Sequence, residues 1–356
     1  MRATSKPPAT LTKKNMITTD DIWKNDPDTI RNFLNIRHEY EQLCAKVEYI
    51  LKKKISHEGI ETSFIGSRAK SLNSFLEKLQ RKSYGNPLED LTDLAGARVV
   101  CLYSGDLEKV EQIIRAEFTV VETVNKLAEL EVNQFGYGAL HFIVKLGKSS
   151  SGARYDDLKN FACEIQVRTV VQDAWAIIQH HMAYKKESQI PSKLLRKLNG
   201  LAGLFETVDD QFESIRDQRD TYLSSVRESS SKPQVFLDNE LNIDSFVEYL
   251  KWAFPKQDPG ANVVGVVVDA LASLDYKKLQ DLHDLIESTK EVRKTIIADF
   301  GNTVFRDENG LTHSNLEAAI ALAVKSPEGQ NAIPWGAQWL EIIKQHQLFP
   351  DLKKKS

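Results

Sequence analysis

The run FACEIQVRT, residues 161–169, has a two-residue hydrophobic period. Read as a strand, Phe161, Cys163, Ile165 and Val167 point to one face, while Ala162, Glu164, Gln166 and Arg168 point to the other. One face is apolar. The other is a short ladder of an acid, an amide and a cation. A solvated face is the plain explanation of such a ladder, and a functional reading needs other segments that point at it.

The chain around this strand is patterned for more strands and helices. Thr19 to Lys54 has helical spacing of Ile30, Phe33, Leu34, Ile36 and Leu43, with Thr19 and Asp20 as the expected N-cap. ETSFIGSRAK reads as a short strand ending in Gly66, followed by a basic loop. SLNSFLEKLQRK reads as an amphipathic helix, DLAGARVVCLY as a buried strand, DLEKVEQIIRAEF as a helix, and FTVVETV and GALHFIVKL as strands. VVQDAWAIIQHHMAYKK and the segment from Ser192 to Glu228 read as helices. The expected organisation is a disordered stretch over residues 1–18, an α+β domain over 19–228, a linker at SSSKPQ (229–234) and a smaller, mainly helical domain over 235–356.

Bulk properties exclude several classes. A net charge of −3 over 356 residues is not that of a nucleic-acid coat protein. Three widely spaced cysteines with no CxxC pair point to neither a zinc site nor a disulfide framework, so a cytoplasmic location is expected. The N-terminus lacks the apolar core of a secretory signal, and no membrane association is expected.

Four segments carry candidate chemistry. They are GSRAKSLNSFLEK with Arg68, Lys70, Ser74 and Lys78; DLAGARVV with Asp93 and Arg98; FGYGALH with Tyr137 and His141; and EIQVRT followed by WAIIQHHMAYK. In this order and spacing they resemble the synthetase domain of the RelA/SpoT family, the (p)ppGpp alarmone synthetases, over roughly Glu61 to Lys186. The resemblance implies a nucleotidyltransferase-like mixed sheet flanked by helices. It also implies transfer of pyrophosphate from ATP to the 3′-hydroxyl of a guanosine nucleotide, GDP or GTP.

Site roles follow from that resemblance. Asp93 is implied as a Mg²⁺ ligand, and Glu164 as a second ligand or as the group that activates the attacking hydroxyl. Few carboxylates are needed, because Mg²⁺ takes substrate phosphates as well. Arg68 and Arg98 are implied to stack on the adenine ring, which planar guanidinium groups do well. Lys70, Ser74 and Lys78, read as one helix face, would hold ATP phosphates; Lys78 is equally explained as part of a wet amphipathic helix. Tyr137, exposed between Gly136 and Gly138, would stack on the acceptor base, and His141, Gln166 and Arg168 would lie near the acceptor. His141 has a structural reading of equal weight. His180 and Tyr184 would brace the site from behind.

The chain departs from the family pattern in places. Gln179 stands where an acid often precedes the helix histidine, and Asn133 stands where a basic residue usually precedes the GY motif. With Glu129 and Glu131 that approach is acidic, so a tRNA 3′ end, as in toxic family members, is the alternative acceptor. A non-catalytic nucleotide-binding regulator is the alternative of another class, disfavoured by the joint presence of Asp93, Glu164, Arg68 and Tyr137. No hydrolase domain is expected, and His283-Asp284 reads as a chance match. The C-terminal region is read as a packing unit with Trp335 and Trp339 on one stripe, and as the place where a regulator would bind. A homo-oligomer is compatible with the sequence.

Overall fold

The computed structural model describes residues 22–24, 26–82, 84–125, 138–183, 192–260, 263–300 and 313–333. The chain divides into two compact units, residues 1–215 and 216–356. The first contains helix α1 (Pro27–His57), β1 (Thr62–Ala69), α2 (Leu72–Arg81), β2 (Ala95–Cys101), α3 (Asp106–Glu117), β3 (Phe118–Asn125), β4 (Leu140–Leu146), β5 (Cys163–Thr169) and α4 (Val170–Ala183). Helix α5 (Ser192–Ser229) crosses the division.

The strands form one five-stranded mixed sheet in the order β1-β2-β5-β4-β3. Strands β2 and β5 pair in parallel and the other neighbours antiparallel. The α+β class and the mixed sheet flanked by helices are as the sequence predicted.

Alternation explains how the sheet is used. Ala97, Val99 and Cys101 of β2, Cys163, Ile165 and Val167 of β5, and Phe142 and Val144 of β4 are all buried in one core. Helix α1 supplies Phe33, Tyr40, Leu43, Val47, Leu51 and Ile55 to that core, and α3 supplies Val110, Ile113 and Ile114. The Phe33 and Phe75 rings stack with centroids 4.2 Å apart, which fastens α2 to α1. With one face of the sheet so covered, residues of the opposite parity must lie on the other face. Register places Arg68 opposite Gly96, Gly66 opposite Arg98, Gly96 beside Glu164, Arg98 beside Gln166, and Gln166 opposite His141.

Local rules account for the differences from the sequence reading. The described part of α1 starts at Pro27, with Asp26 Oδ1 accepting from the Thr29 amide at 3.1 Å. Proline at N1 costs no hydrogen bond there; Thr19 and Asp20 lie outside the described residues. Strand β1 continues past Gly66 to Ala69, because Ser67, Arg68 and Ala69 keep pairing with β2. Lys70 precedes α2 rather than sitting in it. Ser71 is the N-cap, its hydroxyl accepting from the Ser74 amide at 3.3 Å.

Helix α5 packs on α4 through Ala202, Phe205 and Val208 against Val171 and Trp175. Thr169, the last residue of β5, donates from Oγ1 to Asp209 Oδ2 of α5 at 2.8 Å. Burial, with the charges of Asp210 and Glu213, pushes the Asp209 carboxyl up to about 7. A carboxyl that holds its proton more tightly when folded stabilises the fold most at low pH. That contribution fades as pH rises from the ordinary carboxylate range to about 7. Asp209→Asn should therefore raise the melting temperature more at pH 8 than at pH 5; equal shifts at both values would contradict this.

The second unit is helical: α6 (Pro233–Leu237), α7 (Ile243–Ala253), α8 (Val264–Ser273), α9 (Leu279–Ser288), α10 (Lys290–Phe300), α11 (Ser314–Lys325) and α12 (Pro327–Ala332). The segment expected as a linker, 229–234, spans the end of α5, a three-residue turn at 230–232 and the start of α6, flanked by Val226 and Phe236 of this unit's core. The Arg293 guanidinium is buried and paired with Glu317. His283 Nδ1 lies 3.2 Å from the Tyr249 hydroxyl, and its ring packs edge-on to Tyr249 and Trp252. Trp335 and Trp339 lie outside the described residues. Among the described residues no helix is long and apolar enough to cross a membrane.

Candidate active site

A cavity of about 400 Å³ opens on the polar face of the sheet. Strand β1 gives it Phe64, Gly66 and Arg68; the turn into α2 gives Lys70, Ser71 and Ser74. Asp93, just before β2, joins Gly96 and Arg98 of β2 and Glu164 and Gln166 of β5. Three of the four sequence motifs thus converge there. The cavity answers why β5 carries Glu164 between two buried residues: Cys163 and Ile165 are core, and the carboxylate lines the cavity.

Asp93 is held from two sides. Its Oδ2 accepts from Lys70 Nζ at 2.7 Å and from Lys78 Nζ at 2.5 Å. Its Oδ1 is buried and has no hydrogen-bond partner among the described residues. Burial opposes ionisation, but the bonds and charges of the two lysines outweigh it and hold this carboxyl below its ordinary value. Although Lys70 is not in the helix, it and Lys78 still meet at one oxygen, because β1 and α2 both end beside Asp93.

Glu164 Oε1 lies 2.7 Å from His141 Nδ1, and Oε2 accepts from Gln166 Nε2 at 3.1 Å. Burial again pushes the carboxyl up, and His141 and Gln166 together bring it below its ordinary value. The charge of Asp93 is felt at Glu164 and pushes the other way. Two ionised carboxylates on one cavity, one with an orphaned buried oxygen, form a donor set that fits a hard divalent cation. Among the described residues no group of three or more His, Cys, Asp or Glu gathers as a closed metal cage. The fit is that of a cation completed by substrate oxygens.

Arg68 and Arg98 lie diagonally across the β1–β2 pair, each facing a glycine. Diagonal positions are about 7–8 Å apart, roughly twice the 3.5–4 Å thickness of a stacked ring. The Phe64 ring lies where a side chain on Gly66 would go, so the glycine makes room for that ring in the floor of the cavity. Ser74 Oγ accepts from Ser71 Oγ at 3.0 Å, on the rim. Arg168 Nη2 donates to Gln166 Oε1 at 2.9 Å. His141 is buried, and its Nε2 has no hydrogen-bond partner among the described residues. His180 is exposed on α4. Tyr137 and Tyr184 lie outside the described residues.

The sequence reading missed Asp173. This residue of the first turn of α4 accepts at Oδ1 from Arg98 Nη1 at 3.1 Å and from Arg168 Nη1 at 3.4 Å. VVQDAW places this acid directly after β5, but its two arginine partners come from different strands, and only the pairing of β2 with β5 brings them together.

Fold and cavity together define a nucleotide-sized site with clustered cations and a carboxylate pair. Residues 67–189 match the model of the region found in RelA / SpoT proteins. The chain therefore carries a RelA/SpoT region, as its four motifs led us to expect. It is 29% identical over 200 residues to the GTP pyrophosphokinase YjbM of Bacillus subtilis, covering 54% of this chain and 91% of that protein. It is 28% identical over 160 residues to GTP pyrophosphokinase YwaC of the same organism, covering 43% and 73%. A crystal structure of small alarmone synthetase 1 from Bacillus subtilis bound to its product pppGpp matches with a TM-score of 0.45 and 26% identity, covering 53% of this chain and 98% of that one.

Proposed function

We propose that this protein is a (p)ppGpp synthetase that transfers pyrophosphate from ATP to the 3′-hydroxyl of GDP or GTP, with Mg²⁺, in the cytoplasm. The observation that carries the reading is the meeting of Lys70 and Lys78 on Asp93, beside Glu164, in the cavity that Arg68 and Arg98 line. Two relatives named GTP pyrophosphokinase support the same activity.

In this reading Arg68 and Arg98 clamp the adenine ring. Lys70 and Lys78 exchange part of their contact with Asp93 for the ATP phosphates, and Ser74 adds a hydroxyl on the rim. Asp93 and Glu164 would hold Mg²⁺, which supplies neutralisation of charge on the transferring group when bound. Glu164, ionised and braced by His141 and Gln166, accepts a hydrogen bond from the 3′-hydroxyl and orients it. The hydroxyl oxygen bonds to the β-phosphorus as its proton passes to the Glu164 carboxylate, the bond between that phosphorus and the α-phosphate bridging oxygen breaks, and AMP leaves. Tyr137 stacks on the acceptor base, with Arg168 and His141 near its phosphates. The residues named all lie within residues 1–215.

Arg68→Ala tests the sides assigned to the two nucleotides. It should raise KM for ATP several-fold more than KM for the acceptor, because a guanidinium stacked on a base contributes about 1 kcal/mol or more. An effect confined to the acceptor would reverse the assignment.

A further inference from the structure

One hydrogen-bonded path crosses the polar face of the sheet. It runs from Arg98 to Asp173, from Asp173 to Arg168, from Arg168 to Gln166, from Gln166 to Glu164 and from Glu164 to His141. All members except Asp173 sit on strands. Asp173 arrives from α4, and its side chain is 16% exposed.

The path has a weak point that Asp173 relieves. Arg98 and Arg168 are like charges on neighbouring strands. Burial first, and then the charge of Arg98, lower the guanidinium of Arg168, while Asp173 opposes both. The Arg98 side chain is 36% exposed, so it has room to swing to solvent if its anion is lost. Arg168, 13% exposed, has little.

We propose that Asp173 is a positioning residue: it holds Arg98 in the pose that stacks on the donor base and, through Arg168 and Gln166, ties the donor side of the cavity to Glu164 on the acceptor side. This rests on the functional reading above. Asp173 touches neither nucleotide. It fixes one wall of the adenine slot and keeps two cations from separating. Losing the anchor leaves Arg98 present but unaimed, so ATP binding weakens.

The test measures binding of a non-hydrolysable ATP analogue to the full chain by calorimetry, with melting temperatures taken alongside. The proteins are wild type, Asp173→Asn, Asp173→Ala, Arg98→Ala and the Arg98→Ala/Asp173→Ala double variant. A hydrogen-bonded charge pair of this kind is worth about ten-fold in affinity, so Asp173→Asn and Asp173→Ala should each weaken binding by about that factor. Asp173→Ala should add little on top of Arg98→Ala, because the anchor acts only through that arginine. A purely structural role would lower the melting temperature and multiply the two losses. Asp173→Asn keeps the shape of the side chain and carries the test if Asp173→Ala fails to fold. Wild-type affinity in Asp173→Asn, or fully multiplicative losses in the double variant, would overturn the positioning role alone. Failure of the wild-type protein to bind the analogue would overturn the functional reading, and the positioning role with it.

Discussion

Asp93→Asn should lower turnover by about 100- to 1,000-fold while the protein still binds ATP. The carboxylate carries the charge that Lys70 and Lys78 share, and its second oxygen is buried without a hydrogen-bond partner among the described residues. Asparagine keeps the shape and one acceptor but removes the charge. The lysines remain free to meet phosphate, so ATP affinity should hold or rise, while the group that would take the divalent cation is gone. Adding Mg²⁺ at high concentration should restore little. The measurements are steady-state turnover beside ATP binding. Wild-type turnover would remove Asp93 from the chemistry, and loss of ATP binding in step with turnover would make it a structural anchor of the lysines.

Glu164→Gln should cost a similar factor in turnover, through the acceptor side. Glutamine can still accept from Gln166 Nε2 but lacks the carboxylate charge, and it cannot share a cation with Asp93. The melting temperature should move only slightly, since the site is an open cavity rather than core. The pH dependence follows from the same contacts. Asp93 and Glu164 both have carboxyls held below their ordinary values. Their stabilising contribution is complete above the ordinary carboxylate range and is lost as pH falls through the lowered folded values. Activity should therefore persist down to the ordinary carboxylate range without an acid limb from these two groups. A turnover that halves between pH 7 and pH 6 in wild type, but not in Glu164→Gln, would contradict the ionised state assigned to Glu164.

Much of the first unit was legible because one-residue alternation is a strong signal when one face is wholly buried. Cys163, Ile165 and Val167 are core, and their neighbours of opposite parity necessarily point to the cavity. The same signal gave Ala97 and Val99 beside Arg98. Boundaries were harder. Gly66 suggested an end to β1, but the strand keeps pairing with β2 through it, and the Phe64 ring fills the space that the missing side chain leaves. Lys70, Ser74 and Lys78 were read as one helix face; Ser71 caps the helix after Lys70, and the two lysines converge because β1 and α2 meet at Asp93.

Asp173 was missed for a different reason. Its role depends on which strands lie side by side. Only the parallel pairing of β2 with β5 brings Arg98 and Arg168 close enough to need a common anion. No local pattern around residue 173 encodes that pairing. The mainly helical character of residues 235–356 was read from their pattern, whereas the core those helices build depends on contacts far apart in sequence, such as Arg293 with Glu317.

Pyrophosphate transfer to a guanosine nucleotide is read out by the fate of label from γ-labelled ATP. The purified chain is incubated with Mg²⁺ and, separately, GDP, GTP and deacylated tRNA. The prediction is label on the 3′ position of GDP or GTP, with AMP released in equal amount and none formed by Asp93→Asn. Label on tRNA alone, or ATP turnover that never marks a guanosine nucleotide, would contradict it.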